Sequence, residues 1–479
     1  MSRRLAVLFL LVFAVRAADF EAVRASVRRQ LAETGAPSIS VAVARDGSIV
    51  WEEGFGWADR EQRVSASEHT MYSLASISKP VTATGLMVLV QAGKIDLDRP
   101  VNEYLGNAKV RARVGDAQQA TVRRVANHTS GLPLHYQFFY ADAPYRPPSM
   151  DETILRFGNL VTAPAERYQY SNLGFGILDH CIARVSGKPY ADFMRQEVFV
   201  PLGLSRTSVY IGRGLEEYAA TRYDGDGSPL PLYEFDHAGA SAVYSSAHDL
   251  VRFGMFHLKA HLPDQKAILT DHSIDAMQKP TVQTGDKAGY GVGWATGEMS
   301  GYKVVSHNGG MPGVTTALRL VPSEKLAIVV MCNAAITLPH RIADEIMTAA
   351  LVGFKAERPA GVAPPFRTPS ELLGNWKGAI YTYKAEIPLI LRMLESGELH
   401  AQVGGQMKML WNDAAWSGGR LTGRMPGDIG IEEGVRGPYF LSFSLNLRGT
   451  TLNGAVSAIS SSERRNHGAV TQWVELLKE

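Results

Sequence analysis

The sequence predicts an α/β fold in which an antiparallel sheet is flanked by helices and carries an inserted, mainly helical region. A separate all-β, barrel-like domain is expected to follow. Strand patterns occur near both ends of residues 20–354, and much of the stretch between them is helical or loop-rich. After a proline-rich stretch, alternating strand patterns and glycine-rich breaks dominate. We therefore expect one sheet built from distant segments, and a second domain made of strands.

The first elements of the larger unit are a helix and a hairpin. Apolar residues recur every three to four positions over Phe20–Glu33, which is the spacing of one helix face. Two strand-like runs, 38–44 and 49–51, then flank Asp46-Gly47, a dipeptide typical of a tight hairpin turn. The helix that follows this hairpin is expected to pack on a face of the sheet.

That helix lies in Met71–Gly93, which has a polar entry and then an apolar run. Ser76 precedes Lys79 by three residues, a spacing that places both side chains on one helix face. Burial among apolar residues lowers the pKa of a lysine, so Lys79 can act as the base that activates the Ser76 hydroxyl. Ser-x-x-Lys also arises by chance, since Ser300–Lys303 is a second copy with no apolar helix after it.

Residues 97–223 are expected to be mainly helical and loop-rich. The loop His135–Met150 is dense in aromatic residues and contains prolines, which fits a substrate-lining wall and simple loop packing equally well. Strand patterns return from Gly289, at 290–294, 302–306, 315–320 and 326–332, and the short turns between them predict an antiparallel set. A helix over Pro339–Phe354 is expected to close the unit.

The composition of the 479 residues is that of a soluble globular protein, with 45% hydrophobic and 20% charged residues. The net charge of +2 and the lack of a basic run argue against nucleic acid as a partner. Cys181 and Cys332 lie in apolar runs, which favours burial as small hydrophobic residues, although their pairing stays open. No cluster of His, Cys and Asp has metal-ligand spacing, so no metal or other cofactor is expected.

The N-terminus has the pattern of a secretory signal over residues 1–18. Two arginines precede an apolar run from Leu5 to Val15, and small residues follow it. The run is too short to span a bilayer comfortably, and the alternative is a buried N-terminal helix. We expect an exported protein, periplasmic or secreted, without a stable membrane anchor after cleavage.

Two further motifs stand near predicted element ends. Tyr170 and Asn172 stand at the head of an apolar helix. A phenol near a lysine ammonium has a lowered pKa and can transfer a proton, which makes Tyr170 a candidate catalytic residue. The alternative is that Tyr170 is a core residue and Asn172 a helix cap. His307-Asn-Gly-Gly310 ends a predicted strand, and its glycines leave backbone N–H groups accessible to an oxyanion. A second His-x-Gly, His237–Gly239, lies in a loop without a strand.

In the order Ser-x-x-Lys, Tyr-x-Asn, His-x-Gly, the chain resembles the penicillin-recognising serine hydrolases, specifically the class C β-lactamase and D-alanyl-D-alanine carboxypeptidase/esterase family (peptidase S12-like). The resemblance extends over Phe20–Phe354 and includes His128-Thr-Ser-Gly-Leu-Pro133 and Tyr244-Ser-Ser-Ala-His-Asp-Leu250. It implies a β-lactamase-like fold and an acyl-enzyme mechanism. The catalytic residues it implies are Ser76 as nucleophile, Lys79 as base and Tyr170 in proton transfer. The substrate-binding residues it implies are Asn172, His307, Gly309 and Gly310.

One departure from the family pattern bears on the substrate. Many members carry lysine at the position of His307, and a histidine is largely neutral at pH 7. The resemblance therefore implies ester or amide hydrolysis with weak carboxylate recognition, on β-lactam, peptidoglycan-like D-amino-acid peptide or small-ester substrates. Acyl transfer to a nucleophile other than water and a catalytically slow or inactive binding protein are the alternatives. The sequence leaves the oligomeric state open.

The C-terminal part resembles a different kind of domain. Leu373-Gly-Asn-Trp376-Lys-Gly378 is similar to the opening of small lipocalin-like barrels appended to some family members. Such a barrel can shape access to the site, contact a partner or stabilise the protein. The expected domains are a signal peptide (1–18), a serine hydrolase domain (19–357), a Pro-rich linker (358–370) and a β-barrel (371–479).

Overall fold

The computed structural model describes residues 20–356, 366–436, 439–460 and 465–479. The predicted signal peptide and most of the predicted linker lie outside these residues. The helices are α1 (Glu21–Thr34), α2 (Ser78–Gln91), α3 (Val122–Ala126), α4 (Met150–Phe157), α5 (Asn172–Ser186), α6 (Tyr190–Met194), α7 (Ala247–His257), α8 (Asp271–Gln278) and α9 (Leu338–Ala350).

The strands that precede the barrel mostly belong to one sheet. They are β1 (Ser38–Arg45), β2 (Ser48–Asp59), β3 (Val64–Ser65), β4 (Met71–Ser73), β5 (Arg111–Ala112), β6 (Tyr136–Tyr140), β7 (Asn159–Leu160), β8 (Thr207–Val209), β9 (Tyr233–Phe235), β10 (Val243–Ser246), β11 (Val282–Gly285), β12 (Ala288–Tyr290), β13 (Ala295–Met299), β14 (Tyr302–Met311), β15 (Val314–Val321) and β16 (Leu326–Cys332).

Within the described residues, nine of these strands form an antiparallel sheet in the order β11-β12-β13-β14-β15-β16-β1-β2-β3. β1 pairs with β2 on one side and with β16 on the other, so the first hairpin lies beside the last strands of the unit. Asp46 and Gly47 turn this hairpin with φ angles of 49° and 85°, in the left-handed region that the tight turn requires. The prediction of one sheet built from distant segments is confirmed.

Helices cover both faces of the sheet. On one face, α1 and α9 pack through buried residues that include Val27 and Ile342. On the other face, α7 packs against β1 and β16, and α2 packs against α5. α2 is buried along almost its whole length, and its polar residues Ser78, Lys79, Thr82 and Thr84 are buried as well, while Gln91 at its end is exposed.

Two elements differ from the sequence-based expectation. The strand predicted over 290–294 is interrupted, because β12 ends at Tyr290 and β13 begins at Ala295. Gly293, with φ of 79°, lies so close to α2 that an added Cβ would be 2.5 Å from the Cβ of Ala83. The chain therefore bends away from the sheet where it meets that helix. The closing helix predicted to reach Phe354 ends at Ala350.

The C-terminal residues form a nearly closed barrel, as predicted. The two edges of its sheet are β20 and β21, which follow each other in the chain with only Trp411 between them, so the edges are brought together. Trp376, from the resemblance to barrel openings, is fully buried in its core. The strands are β17 (Gly374–Tyr381), β18 (Glu386–Met393), β19 (Leu399–Val403), β20 (Met409–Leu410), β21 (Asn412–Ser417), β22 (Arg420–Pro426), β23 (Tyr439–Arg448), β24 (Thr451–Ser460) and β25 (Gly468–Lys478).

The barrel joins the larger unit through the aromatic loop. β6, a strand that the sequence analysis did not predict, pairs with β9 and also with β25 of the barrel. The two cysteines are separate buried thiols, which agrees with their expected burial. Among the described residues, none of the helices combines the length and apolar character needed to cross a bilayer.

Candidate active site

Ser76 lies on a short 3-10 turn, Ala75–Ile77, directly before α2. Ala75 has φ of 47°, an uncommon backbone conformation for a residue with a side chain, so the turn carries strain. The turn is held from β15, where the Thr316 hydroxyl donates a 3.0 Å hydrogen bond to the Leu74 carbonyl. Ser76 is therefore held on its own turn at the start of α2 rather than inside the helix.

The amine of Lys79 is fully buried and lies 3.2 Å from the Ser76 hydroxyl oxygen. It donates hydrogen bonds to Asn172 Oδ1 at 2.6 Å and to the Ala240 carbonyl at 3.1 Å. Burial lowers the pKa of Lys79 well below its ordinary value, which favours the neutral amine. Two hydrogen bonds occupy both N–H groups of a neutral amine, so its lone pair is left for the Ser76 hydroxyl. This is the geometry of a general base.

Tyr170 contacts the same pair of residues. Its phenol is hydrogen-bonded to Ser76, and its ring centroid lies 4.8 Å from the Lys79 amine. Burial raises the pKa of Tyr170, and the hydrogen bond between its phenol and Ser76 opposes that rise. The expectation that a lysine ammonium lowers this pKa is wrong, because burial disfavours both the ammonium and the phenolate. Tyr170 is therefore an O–H donor next to the serine.

Asn172 is the first residue of α5 and points at Lys79. The alternative that it caps the helix does not hold, because Ser171 is the N-cap and its hydroxyl accepts a hydrogen bond from Gly174 N–H at 2.9 Å. The amide oxygen of Asn172 is instead engaged by the lysine. Asn172 also lines the pocket that holds Ser76.

Gly309 and Gly310 form the wall opposite, on β14. The motif His307–Gly310 ends the strand as predicted, and β14 continues one residue beyond it, to Met311. β13 pairs with β14 only as far as Ser306, so within the described residues the following part of β14 pairs with β15 alone. A Cβ on Gly309 would lie 2.2 Å from the Leu74 carbonyl oxygen, whereas one on Gly310 would meet no atom of the described residues within 4 Å. The absence of a side chain at Gly309 thus lets β14 approach the turn that carries Ser76, and Gly310 faces the pocket.

His307 is buried within β14 and bonded on both ring nitrogens. Nδ1 lies 2.8 Å from the Asn308 carbonyl oxygen and must carry the proton, so Nε2 accepts from the Tyr290 hydroxyl at 2.9 Å. Burial lowers the pKa of His307 to about 3, and the nearby Lys79 acts in the same direction. His307 is therefore neutral at pH 7. Its neighbour Asn308 lines the pocket.

The pocket that contains Ser76 has a volume of about 770 Å³. The structure brings five of the predicted site residues to its lining, namely Ser76, Tyr170, Asn172, Gly309 and Gly310. Other lining residues come from separate elements and carry no sequence motif that could have predicted them: Asp224, Thr315, His340 and Asn466. Of the aromatic loop, Tyr136 and Phe138 line this pocket, as the interpretation of the loop as a wall requires, whereas Phe139 and Tyr145 line a different cavity.

The second copies of the Ser-x-x-Lys and His-x-Gly motifs do not contribute to the lining of this pocket. Ser300 is in the turn between β13 and β14, where its hydroxyl donates to the Lys355 carbonyl at 2.8 Å. His237–Gly239 belongs to a loop beneath the site, which ends in the Ala240 carbonyl that accepts from Lys79. Across the described ranges, no group of three or more His, Cys, Asp or Glu side chains is arranged to hold a metal ion.

A nine-stranded antiparallel sheet between helices, with a serine, a buried lysine and a tyrosine at its edge, defines the class of serine hydrolases that the motifs resemble. The chain belongs to the Beta-lactamase family, whose model matches residues 23–351. Members of this family are serine hydrolases that act through an acyl-enzyme, and they include β-lactamases and carboxypeptidases.

Two relatives illustrate the range of the family. Penicillin-binding protein 4* of Bacillus subtilis is 27% identical over 324 residues, which are 61% of this chain and 67% of that protein. Unguisins hydrolase ungD' of Aspergillus campestris is 28% identical over 327 residues, 64% of this chain and 60% of that protein. The chain therefore spans less than two thirds of the second relative.

Solved structures share the fold. The octameric penicillin-binding protein homologue from Pyrococcus abyssi has a TM-score of 0.61 at 23% identity, covering 94% of this chain and all (100%) of that one. SurE has a TM-score of 0.65 at 20% identity, covering 96% and 98%. The β-lactamase/D-alanine carboxypeptidase from Pseudomonas syringae, with a TM-score of 0.59 at 20% identity, covers 68% of this chain and 97% of its own. The first two likenesses thus extend into the barrel.

Proposed function

We propose that this protein is an exported serine hydrolase that cleaves an ester or amide bond through a covalent acyl-enzyme on Ser76. The observation that carries this proposal is the buried amine of Lys79, 3.2 Å from the Ser76 hydroxyl oxygen. Among the described residues, no carboxylate is hydrogen-bonded to that amine, and burial lowers its pKa. A neutral amine in this place is a base for the serine.

The proposed mechanism has two halves. In acylation, Lys79 takes the proton of Ser76 as the serine oxygen attacks the substrate carbonyl carbon. The N–H groups of Ser76 and Gly310 stabilise the oxyanion, each by roughly 3 kcal/mol. The proton passes through Tyr170 to the leaving group, whose bond to the carbonyl carbon breaks. In deacylation, water gives a proton to the same base and attacks the ester, which releases the acid and restores the Ser76 hydroxyl.

The proposed substrates are β-lactams, peptidoglycan-like D-amino-acid peptides or small esters. Relatives named for penicillin binding and for unguisin hydrolysis support this range. Within the described part of the chain, the pocket lining contains no lysine or arginine, and His307 is neutral at pH 7. A substrate carboxylate therefore has no cationic partner in this lining, which favours ester or amide substrates that lack a carboxylate.

Export to the periplasm or the medium is part of the same proposal. It rests on residues 1–18, whose arginine pair, apolar run and small residues are typical of a cleaved signal. Expression with a C-terminal tag, fractionation and N-terminal sequencing test it. A mature N-terminus near Ala18 in the exported fraction is expected, and an intact Met1 form retained inside the cell would contradict export.

Intact-mass spectrometry tests the nucleophile. The protein and Ser76→Ala are each incubated with a penicillin and, separately, with an activated ester such as p-nitrophenyl acetate. An adduct or turnover is expected in the wild type and not in the variant. Ser300→Ala is the matched control, because Ser300 belongs to the second Ser-x-x-Lys and lies in a surface turn. Full activity of Ser76→Ala would overturn the assignment.

A further inference from the structure

Asn466 belongs to the barrel half of the chain, yet it lines the same pocket as Ser76. It lies two residues before the last strand, β25, which pairs with β6. Three hundred and ninety positions separate it from the serine along the chain (466 − 76). The pocket wall formed by β6 and Asn466 is therefore assembled from both domains.

Backbone contacts hold Asn466 in this position. Gly468 and Ala469 of β25 pair with Gln137 and Tyr136 of β6. A Cβ on Gly468 would lie 2.2 Å from the Tyr136 carbonyl oxygen, so only glycine permits this approach. The Tyr140 hydroxyl also donates a 3.0 Å hydrogen bond to the Asn466 carbonyl. These contacts fix the segment relative to the pocket.

The side-chain amide of Asn466 has a defined orientation. Its Oδ1 accepts a 2.7 Å hydrogen bond from the backbone N–H of Gly468. The side chain is also hydrogen-bonded to the phenol of Tyr136, another pocket residue, and this bond acts to lower the pKa of that phenol, so the amide nitrogen is the donor there. An amide nitrogen carries two hydrogens, and one therefore remains for a ligand. Phe138 and Phe235 line the pocket beside this donor and supply apolar surface.

We propose that Asn466 is a specificity-determining residue supplied by the barrel, which selects acyl groups that carry both an apolar side chain and an amide carbonyl. The carbonyl oxygen accepts from the Asn466 amide, and the side chain packs on the aromatic wall of β6 and β9. This rests on the proposed function, because it names the acyl class that the Ser76 site takes. A pocket of about 770 Å³ has room for such a group, while an acetyl group leaves most of it empty.

The test compares two p-nitrophenyl esters, one of N-acetylleucine, used as each enantiomer, and one of 4-methylpentanoic acid. The two acyl groups differ only in the acetamido group. The quantity measured is kcat/KM for the preferred enantiomer of the N-acetylleucine ester divided by kcat/KM for the 4-methylpentanoate ester. This ratio is determined in the wild type, in Asn466→Ala and in Asn466→Asp. Asp keeps an oxygen for the Gly468 N–H but lacks the amide donor. Asn412→Ala, at an exposed site on β21, is the control.

We expect the ratio to fall about tenfold in both Asn466 variants and to stay within twofold in the control. A ratio that stays within twofold in Asn466→Asp would overturn the proposal. A binding measurement distinguishes failure of the Asn466 proposal from failure of the proposed function. In a Ser76→Ala background, which needs no turnover, Asn466→Asp should weaken calorimetric binding of N-acetylleucine amide at least fivefold, and equal affinity would also overturn it. Hydrolysis of the esters by Ser76→Ala would instead contradict the nucleophile.

Discussion

Lys79 and Asn172 are joined by a 2.6 Å hydrogen bond between Nζ and Oδ1 inside the protein. The acceptor is a neutral amide oxygen, which orients the amine without adding negative charge beside it. A carboxylate at the same place would favour the ammonium form, because an opposite charge raises the pKa of a buried amine. The pair thus keeps the amine aligned and still able to take a proton.

Replacing Asn172 by Asp should move the pH profile of the enzyme. In Asn172→Asp the pKa of Lys79 rises, so the acidic limb of kcat/KM for p-nitrophenyl acetate shifts to higher pH. A rise of one unit lowers activity on that limb about tenfold. Asn172→Ala is the matched control, since it removes the amide without adding charge and should lower activity without that upward shift. An unshifted limb in Asn172→Asp would contradict Lys79 as the base.

Asp179 supports the loop that positions Lys79. Its carboxylate accepts a hydrogen bond from Gly239 N–H, and the next carbonyl, that of Ala240, accepts from the lysine. Burial raises the pKa of Asp179 to about 7. An unfolded aspartate has a pKa of about 3.9. Between these values the folded state holds a proton that the unfolded state has lost, so stability falls as pH rises from about 4 to about 7.

Asp179→Asn should remove this pH dependence. The free energy of unfolding is measured with urea at pH 5 and pH 8, in the wild type and the variant. The wild type should lose roughly 2.5 kcal/mol more between the two pH values than Asp179→Asn, because pH 5 already lies above the pKa of the unfolded aspartate. Asp192→Asn, at an exposed carboxylate on α6, serves as the control and should behave as the wild type. The same pH dependence in Asp179→Asn and the wild type would refute the titration.

The neighbouring glycines of β14 should respond differently to alanine. Gly309→Ala places a Cβ 2.2 Å from the Leu74 carbonyl oxygen and should destabilise the protein by about 1–3 kcal/mol. The added Cβ of Gly310→Ala meets no atom within 4 Å in the described part of the chain, so the thermal midpoint of this variant should stay that of the wild type. Its methyl group enters the pocket, and kcat/KM should fall. Equal thermal midpoints for the two variants would contradict this arrangement.

Tyr170→Phe should show a dependence on the leaving group. A p-nitrophenolate departs without a proton, whereas an alkoxide or amine must receive one. The variant should therefore lose more activity, by about tenfold or more, on an alkyl ester than on the p-nitrophenyl ester of the same acid. Steady-state kcat/KM for both esters measures this. Equal losses on both would assign Tyr170 to positioning of Ser76 rather than to proton transfer.

Much of the fold was predictable from local patterns. The spacing of Ser76 and Lys79, the Asp46-Gly47 turn and the alternation in the barrel strands all depend on backbone geometry over a few residues. Those features do not depend on how the side chains pack, so a sequence pattern is enough to predict them. Strand β6 escaped detection because its five residues, all aromatic except Gln137, do not alternate in polarity, and its pairing partners are remote in the chain.

Electrostatic predictions were less secure than structural ones. The direction of the Lys79 shift was predictable, since an apolar helix buries it. The Tyr170 shift was predicted with the wrong sign, because it was argued from a charge that burial removes. The role of the loop at His237–Gly239 was equally hidden, since only its packing against α5 brings the Ala240 carbonyl to the amine.

Local patterns were enough to predict the order of the motifs, the membership of the main elements in one sheet and the presence of a second, all-β domain. Which distant residues share the pocket, Asp224 and Asn466 for example, follows only from the folded chain. The difference lies in the distance along the chain over which each effect acts. Periodicity and spacing act between residues a few positions apart, whereas burial, pKa and a pocket wall made by two domains depend on contacts that exist only after the chain has folded.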